Sequence, residues 1–129
     1  MSFSWARAAT ALQKLVAEDA AKPREDQHLD DGQRSSLAWM AKRLPQSGLV
    51  LADEVGTGKT RIACAVVHAV LDAGGRAAVV VPHGLMHQWR AEARNIRSRW
   101  SSQSSSIDAG SAAWSAATLS TSSAAACSA

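Results

Sequence analysis

Apolar residues recur along the first hundred positions in two distinct patterns, and each predicts an element. Trp5, Ala8, Leu12, Leu15 and Val16 fall three and four apart, with Arg7, Gln13, Lys14 and Glu18 between them. That spacing predicts an amphipathic helix over residues 5–21. Pro23 ends it, and residues 22–31 make a polar, charge-dense connector. A second helix is expected over residues 32–44, with Leu37, Met40, Ala41 and Leu44 on one face, before the turn Pro45-Gln46-Ser47-Gly48. Residues 49–52 are short and apolar throughout, as strands buried on both faces tend to be. Residues 59–73 predict a helix with Ile62, Val66, Ala69 and Val70 facing a sheet, and Gly74-Gly75 supply its C-cap. A second apolar strand is expected over residues 77–81. Pro82 stops it, and a further helix follows over residues 85–97. Strand, helix and strand in that order predict one βαβ unit, with parallel strands and a right-handed crossover.

The pattern then changes. After Ala93 the apolar stripe is expected to fade into Arg94-Asn95-Ile96-Arg97-Ser98-Arg99-Trp100. Residues 101–129 hold eleven Ser and nine Ala among twenty-nine positions, and Ile107, Trp114 and Leu119 are too sparse to form a stripe. Such a segment does not offset its ordering entropy, and disorder is the expectation. Loss of coding sense near residues 93–100, by frameshift or gene truncation, is one reading; a natural flexible tail is the other. The chain thus divides into residues 1–28 (helix and connector), 29–97 (the α/β part) and 98–129 (the tail).

Composition narrows the class only a little. At 129 residues there is room for one domain at most. The net charge of +3 is too mild to argue for nucleic acid by itself, although every Lys and Arg lies before residue 100. Cys64 and Cys127 do not suggest a disulfide framework, and Cys64 is expected as a small buried thiol within a helix. No apolar run approaches the ~20 residues that cross a bilayer. No membrane partner is therefore expected, and a cytoplasmic setting is the default. Oligomeric state is left open.

The chemistry concentrates in Leu51-Ala52-Asp53-Glu54-Val55-Gly56-Thr57-Gly58-Lys59-Thr60. An apolar run feeds a turn with two glycines, and Lys-Thr then opens a helix. Glycines let backbone N–H groups curl around a phosphate, and the helix start adds donors and the positive end of its dipole. Gly56, Thr57 and Gly58 are the expected amide donors. Lys59 is placed to reach the β/γ-phosphates, and the Thr60 hydroxyl to ligate Mg²⁺. ATP and Mg²⁺ are the expected ligands. Asp53 stands where the general G-x-x-x-x-G-K-[ST] pattern has its first Gly.

This block resembles motif I of the Swi/Snf-type branch of superfamily 2 helicases, ATP-driven motors that translocate on double-stranded DNA. Gln33-Arg34-Ser35-Ser36-Leu37-Ala38-Trp39-Met40 is similar to that family's Gln-x-x-Gly-Val-x-Trp-Leu block. Val79-Val80-Val81-Pro82-His83-Gly84-Leu85-Met86-His87-Gln88-Trp89-Arg90-Ala91-Glu92 resembles its motif Ia. Order and spacing agree across roughly residues 29–93. Asp31-Gly32 and Ser36 depart from the family pattern, which bears on base contact more than on phosphate contact. The resemblance implies an incomplete P-loop NTPase (RecA-like) lobe, and it implies that Gln33 reads the adenine edge; an exposed helix-start Gln is the alternative. It also implies that Pro82, His83 and Gly84 lie along DNA. Arg90, Arg94 and Arg97 share one helix face that suits phosphates, or simply faces solvent. His83 and His87 are four apart, but lack a third ligand and are not expected to hold a metal.

Hydrolysis in the resembling family needs a later Asp-Glu motif and arginine fingers from a second lobe. After Thr60 the only acids are Asp72, Glu92 and Asp108. The chain is therefore expected to be the nucleotide-binding part of a DNA-dependent ATPase that does not turn over ATP alone. A stand-alone, non-hydrolysing nucleotide-binding module is the alternative. With only two strands, marginal stability is expected.

Overall fold

The computed structural model describes residues 2–52, 58–100 and 119–121. Four helices dominate: α1 (Trp5–Ala21), α2 (Asp31–Arg43), α3 (Lys59–Asp72) and α4 (Met86–Trp100). Short 3₁₀ turns at Arg24–Asp26 and His83–Leu85 lead into α2 and α4. Strand β1 (Val79–Val81) pairs in parallel with β2 (Leu119–Thr121), Val80 standing opposite Ser120.

Local chemistry accounts for most of the boundaries. Ser4 caps α1 by accepting the Arg7 N–H at 3.2 Å. Asp30 and Gln33 form a reciprocal capping box on α2: the Asp30 carboxylate accepts the Gln33 N–H at 2.7 Å, and Gln33 Oε1 accepts the Asp30 N–H at 3.1 Å. Helix α3 ends in a left-handed Gly74 (φ 81°), whose N–H reaches Leu71 O while the Gly75 N–H reaches Val70 O. That is a Schellman closure, and it satisfies carbonyls the helix leaves open. A Cβ on Gly75 would stand 2.7 Å from the Phe3 ring, so glycine also lets the N-terminus close over α3.

The helices share one core. Leu12 and Leu15 of α1 meet Leu37 and Ala41 of α2, Ile62, Ala65 and Ala69 of α3, and Ile96 and Trp100 of α4. Trp5, expected on the inner face of α1, is instead half exposed and packs edge-on against Phe3. The apolar stripe of α4 does not fade at Ala93. Trp89, Ala93, Ile96 and Trp100 continue it at spacings of four, three and four, and the last two are buried. The Trp100 ring sits edge-on to both His28 and His68, with centroids 5.6 and 5.5 Å apart.

Buried polar groups tie the connector to this core. The fully buried Asp19 carboxylate accepts the backbone N–H groups of His28 (2.9 Å) and Leu29 (3.2 Å), and Arg34 Nη1 at 3.2 Å. Arg34 also donates to Asp31, and this contact holds the Asp31 carboxyl below its usual range.

The strand side departs from expectation. Residues 49–52 form no strand: Leu51 packs against the helical core while Val50 is 89% exposed. The expected βαβ unit is therefore not formed from residues 49–52 and 77–81. A strand leaves its backbone N–H and C=O groups to a neighbour, and residues 49–52 have none among the described residues. The α3 stripe consequently faces helices α1 and α4 rather than a sheet. Strand β1 does form and stops before Pro82 as expected, but its partner comes from within the Ser/Ala-rich tail, at three residues for which disorder was expected. The rest of that tail expectation lies outside the described residues.

Candidate functional site

Gly58 takes a left-handed conformation (φ 76°, ψ 34°) and caps α3. Its carbonyl accepts the N–H groups of Arg61 and Ile62, so Lys59 and Thr60 form the first turn of the helix. A backbone that turns left-handed and then opens a helix presents its first amides outward, where an anion is favoured. Gly56 and Thr57, with Asp53 and Glu54, lie outside the described residues.

Gln33 lies directly against this turn. A Cβ built on Gly58 would come within 2.2 Å of Gln33 Nε2, so only glycine admits the approach. Gln33 is 5% exposed, not the exposed helix-start residue of the alternative reading. The capping box fixes its carboxamide: Oε1 takes the Asp30 N–H, and the Nε2 end is thereby turned toward Gly58. Sequence reasoning linked Gln33 to the loop by resemblance and missed the device that orients it. The signal was present, since Asp-x-x-Gln is a capping-box pattern.

Between these elements opens a cleft of about 470 Å³ lined by Asp30, Gln33, Gly58, Thr60, Arg61, Gln88 and Glu92. Four of these, Asp30, Arg61, Gln88 and Glu92, were not expected as site residues. Gln88 and Glu92 lie one turn apart on α4, where the helical period brings them to the same wall. Glu92 Oε1 accepts from Arg61 Nε at 3.1 Å, and His28 Nε2 stands 3.6 Å from the same oxygen. No sequence signal joins Arg61 to a partner thirty-one positions away. Cys64, one turn further along α3, is a buried free thiol whose pKa is pushed up to about 12 by burial, with the Glu92 charge adding to the effect. It is an inert core residue, as expected.

The residues expected near DNA lie elsewhere. Pro82, His83 and Gly84 are exposed at the turn between β1 and α4. Arg90 and Arg94 are exposed one turn apart on α4, on the side away from Glu92. Among the described residues no helix is long and apolar enough to cross a membrane.

A left-handed glycine feeding Lys-Thr at a helix start, with a polar cleft beside it, is an arrangement suited in general to an anion. The chain matches the SNF2-related domain over residues 32–108, more than half its length, and belongs to that Swi/Snf-type family. The match runs through all of α4. It is also 48% identical over 48 residues to the RNA polymerase-associated protein RapA of Pseudomonas aeruginosa, covering 36% of this chain and 5% of that protein. RapA of Erwinia tasmaniensis is 50% identical over 46 residues, 34% of this chain and 5% of that protein. The chain thus spans about a twentieth of the length of these relatives. No solved structure matches it.

Proposed function

We propose that this chain binds Mg·ATP or Mg·ADP at the start of α3 and does not hydrolyse it alone. The observation that carries the reading is Gln33 locked against Gly58 at the mouth of a polar cleft, in a chain of the Swi/Snf-type ATPase family. Amides of Gly56, Thr57 and Gly58 cradle the phosphates, Lys59 neutralises them, and Thr60 ligates the Mg²⁺ that the nucleotide brings. Gln33 meets the adenine. Residues 29–100, to the end of α4, form this RecA-like part, residues 1–28 brace it, and a tail follows. Hydrolysis requires a carboxylate pair to hold the metal and aim the water, and the sequence after Thr60 has no adjacent acids. DNA contact through Pro82, His83, Gly84, Arg90 and Arg94 belongs to the intact motor of the family, working in the cytoplasm or on the nucleoid.

The shared burial of Leu12, Leu37, Ile62 and Ile96 favours a second form of this reading, in which the chain folds and binds nucleotide as a module of its own. Thermal unfolding followed by circular dichroism, with and without millimolar Mg·ATP, tests both. A cooperative transition that nucleotide raises is expected, since a ligand at 100 times its Kd adds ~2.7 kcal/mol. The shift should vanish in Lys59→Ala. Indifference of the parent chain to nucleotide would overturn the binding reading, and steady phosphate release abolished by Lys59→Ala would overturn the absence of hydrolysis.

A further inference from the structure

Arg61 follows Thr60 directly and stands where three distant segments meet. Its Nε donates to Glu92 Oε1 of α4 at 3.1 Å, and its Nη1 donates to the carbonyl of His28 in the connector at 3.0 Å. The two side chains are 38% and 22% exposed, so water screens the pair only in part. Both line the cleft beside Gln33 and Thr60. The connector is in turn anchored to α1, because His28 and Leu29 donate their backbone N–H groups to buried Asp19.

We propose that Arg61 and Glu92 are a positioning pair for the nucleotide. Their ion pair holds the first turn of α3, with Lys59 and Thr60, at a fixed distance from α4 and so sets the width of the cleft. This rests on the nucleotide reading above. Affinity at such a site depends on directed groups, and a displacement of the α3 start by about 1 Å misaims the amides, the Lys and the hydroxyl together. An arginine this close to a phosphate site has one other use, direct contact with the phosphates. The two uses differ in the sign of Glu92. In a positioning pair, Glu92 supports binding. Beside a phosphate-contacting arginine, Glu92 competes with the ligand, and its neutralisation tightens binding.

The test is a fluorescence titration of the full chain with mant-ADP and Mg²⁺, using Arg61→Gln, Glu92→Gln and the double variant, with circular dichroism melts of each nucleotide-free protein. Each single change is expected to weaken mant-ADP about 3–10-fold, the scale of one partly shielded ion pair. The double variant should be no weaker than the weaker single, as for two residues acting as one unit. Nucleotide-free melting should stay cooperative. Unchanged or tighter binding by folded Glu92→Gln would overturn the proposal, as would losses that add in the double variant. If Glu92→Gln loses its helical signal, Glu92→Asp, which keeps the charge but is one methylene short, is expected to show the same weakening; unfolding of both would make the pair a structural one and overturn the proposal. Failure of the parent chain to bind mant-ADP would instead overturn the nucleotide reading and this proposal with it. Normal parental binding that Lys59→Ala abolishes would uphold the nucleotide reading, so that the Arg61 and Glu92 variants then test the pair alone.

Discussion

Two sides of this small molecule treat apolar residues in opposite ways. On the helical side, Leu12, Leu37, Ile62 and Ile96 are each 1% exposed or less. On the strand side, Val50 is 89% and Val80 61% exposed, although both belong to runs as apolar as any in the chain. Hydropathy does not separate these residues; backbone hydrogen bonding does. A helix satisfies its own N–H and C=O groups and needs only one face covered, so four short helices suffice to bury a core. A strand needs neighbours on its edges and cover on its faces. The α3 start is built on the first side, and Thr60 lines a cleft whose other walls are also helical-side residues.

The largest effects should therefore come from the polar and apolar anchors of the helical side. Asp19→Ala removes a carboxylate that holds two backbone N–H groups and Arg34, leaving buried donors without an acceptor. A loss of about 3–5 kcal/mol is expected in urea unfolding, a large share of the roughly 5–15 kcal/mol that is ordinary for a domain. Leu37→Ala should cost about 3 kcal/mol by opening a cavity at the centre of the helical core. Ser4→Ala removes only the α1 cap, and about 1 kcal/mol is expected. Equal costs for Leu37→Ala and Ser4→Ala would show that the core of the four helices is not the packed unit described above.

A smaller effect should appear in the pH dependence of the same core. Burial lowers the pKa of His68 from its ordinary 6.5, the nearby Asp72 opposing this in part. The folded chain thus holds His68 neutral where the unfolded chain would protonate it. His68 neutrality contributes stability that is complete above pH 6.5 and is lost as the pH falls through the folded value. Unfolding midpoints measured between pH 7.5 and 5 should fall on acidification, with a shallower slope in His68→Gln. An unchanged slope would place His68 in water rather than against Trp100.

The same division explains what the sequence made legible. Helix α1 runs from Trp5 to Ala21, the bounds its periodicity predicts, because the information for a helix lies within four residues of each position. The Schellman closure at Gly74-Gly75 was readable for the same reason. Ile96 and Trp100 were missed because Arg94, Arg97 and Arg99 interrupt the eye, although the four-three-four spacing from Trp89 is intact. The strand expected over residues 49–52 failed because a strand is a statement about partners, and no local pattern names them. At the candidate site the glycines, Lys59 and Thr60 stood out by spacing, and Gln33 only through the family resemblance. Asp30 could be reached through its capping pattern, while the Arg61–Glu92 contact depends on the packing of α3 against α4.

The finest test of the contrast is a pair of substitutions that should do almost nothing. Val50→Thr and Val80→Thr keep β-branching and nearly the same volume, and each replaces one methyl by a hydroxyl. If these side chains face water, the hydroxyl is solvated and the change in urea unfolding should stay within about 0.5 kcal/mol. If a sheet neighbour or a covering helix buries them, each introduces an unsatisfied hydroxyl, and about 1–3 kcal/mol should be lost. A cost of that size at Val80 alone would mean that the face of β1 is covered while residues 49–52 stay open. A cost at both would mean that the strands find their neighbours after all, and that the helical core is not the only part of this chain that holds itself together.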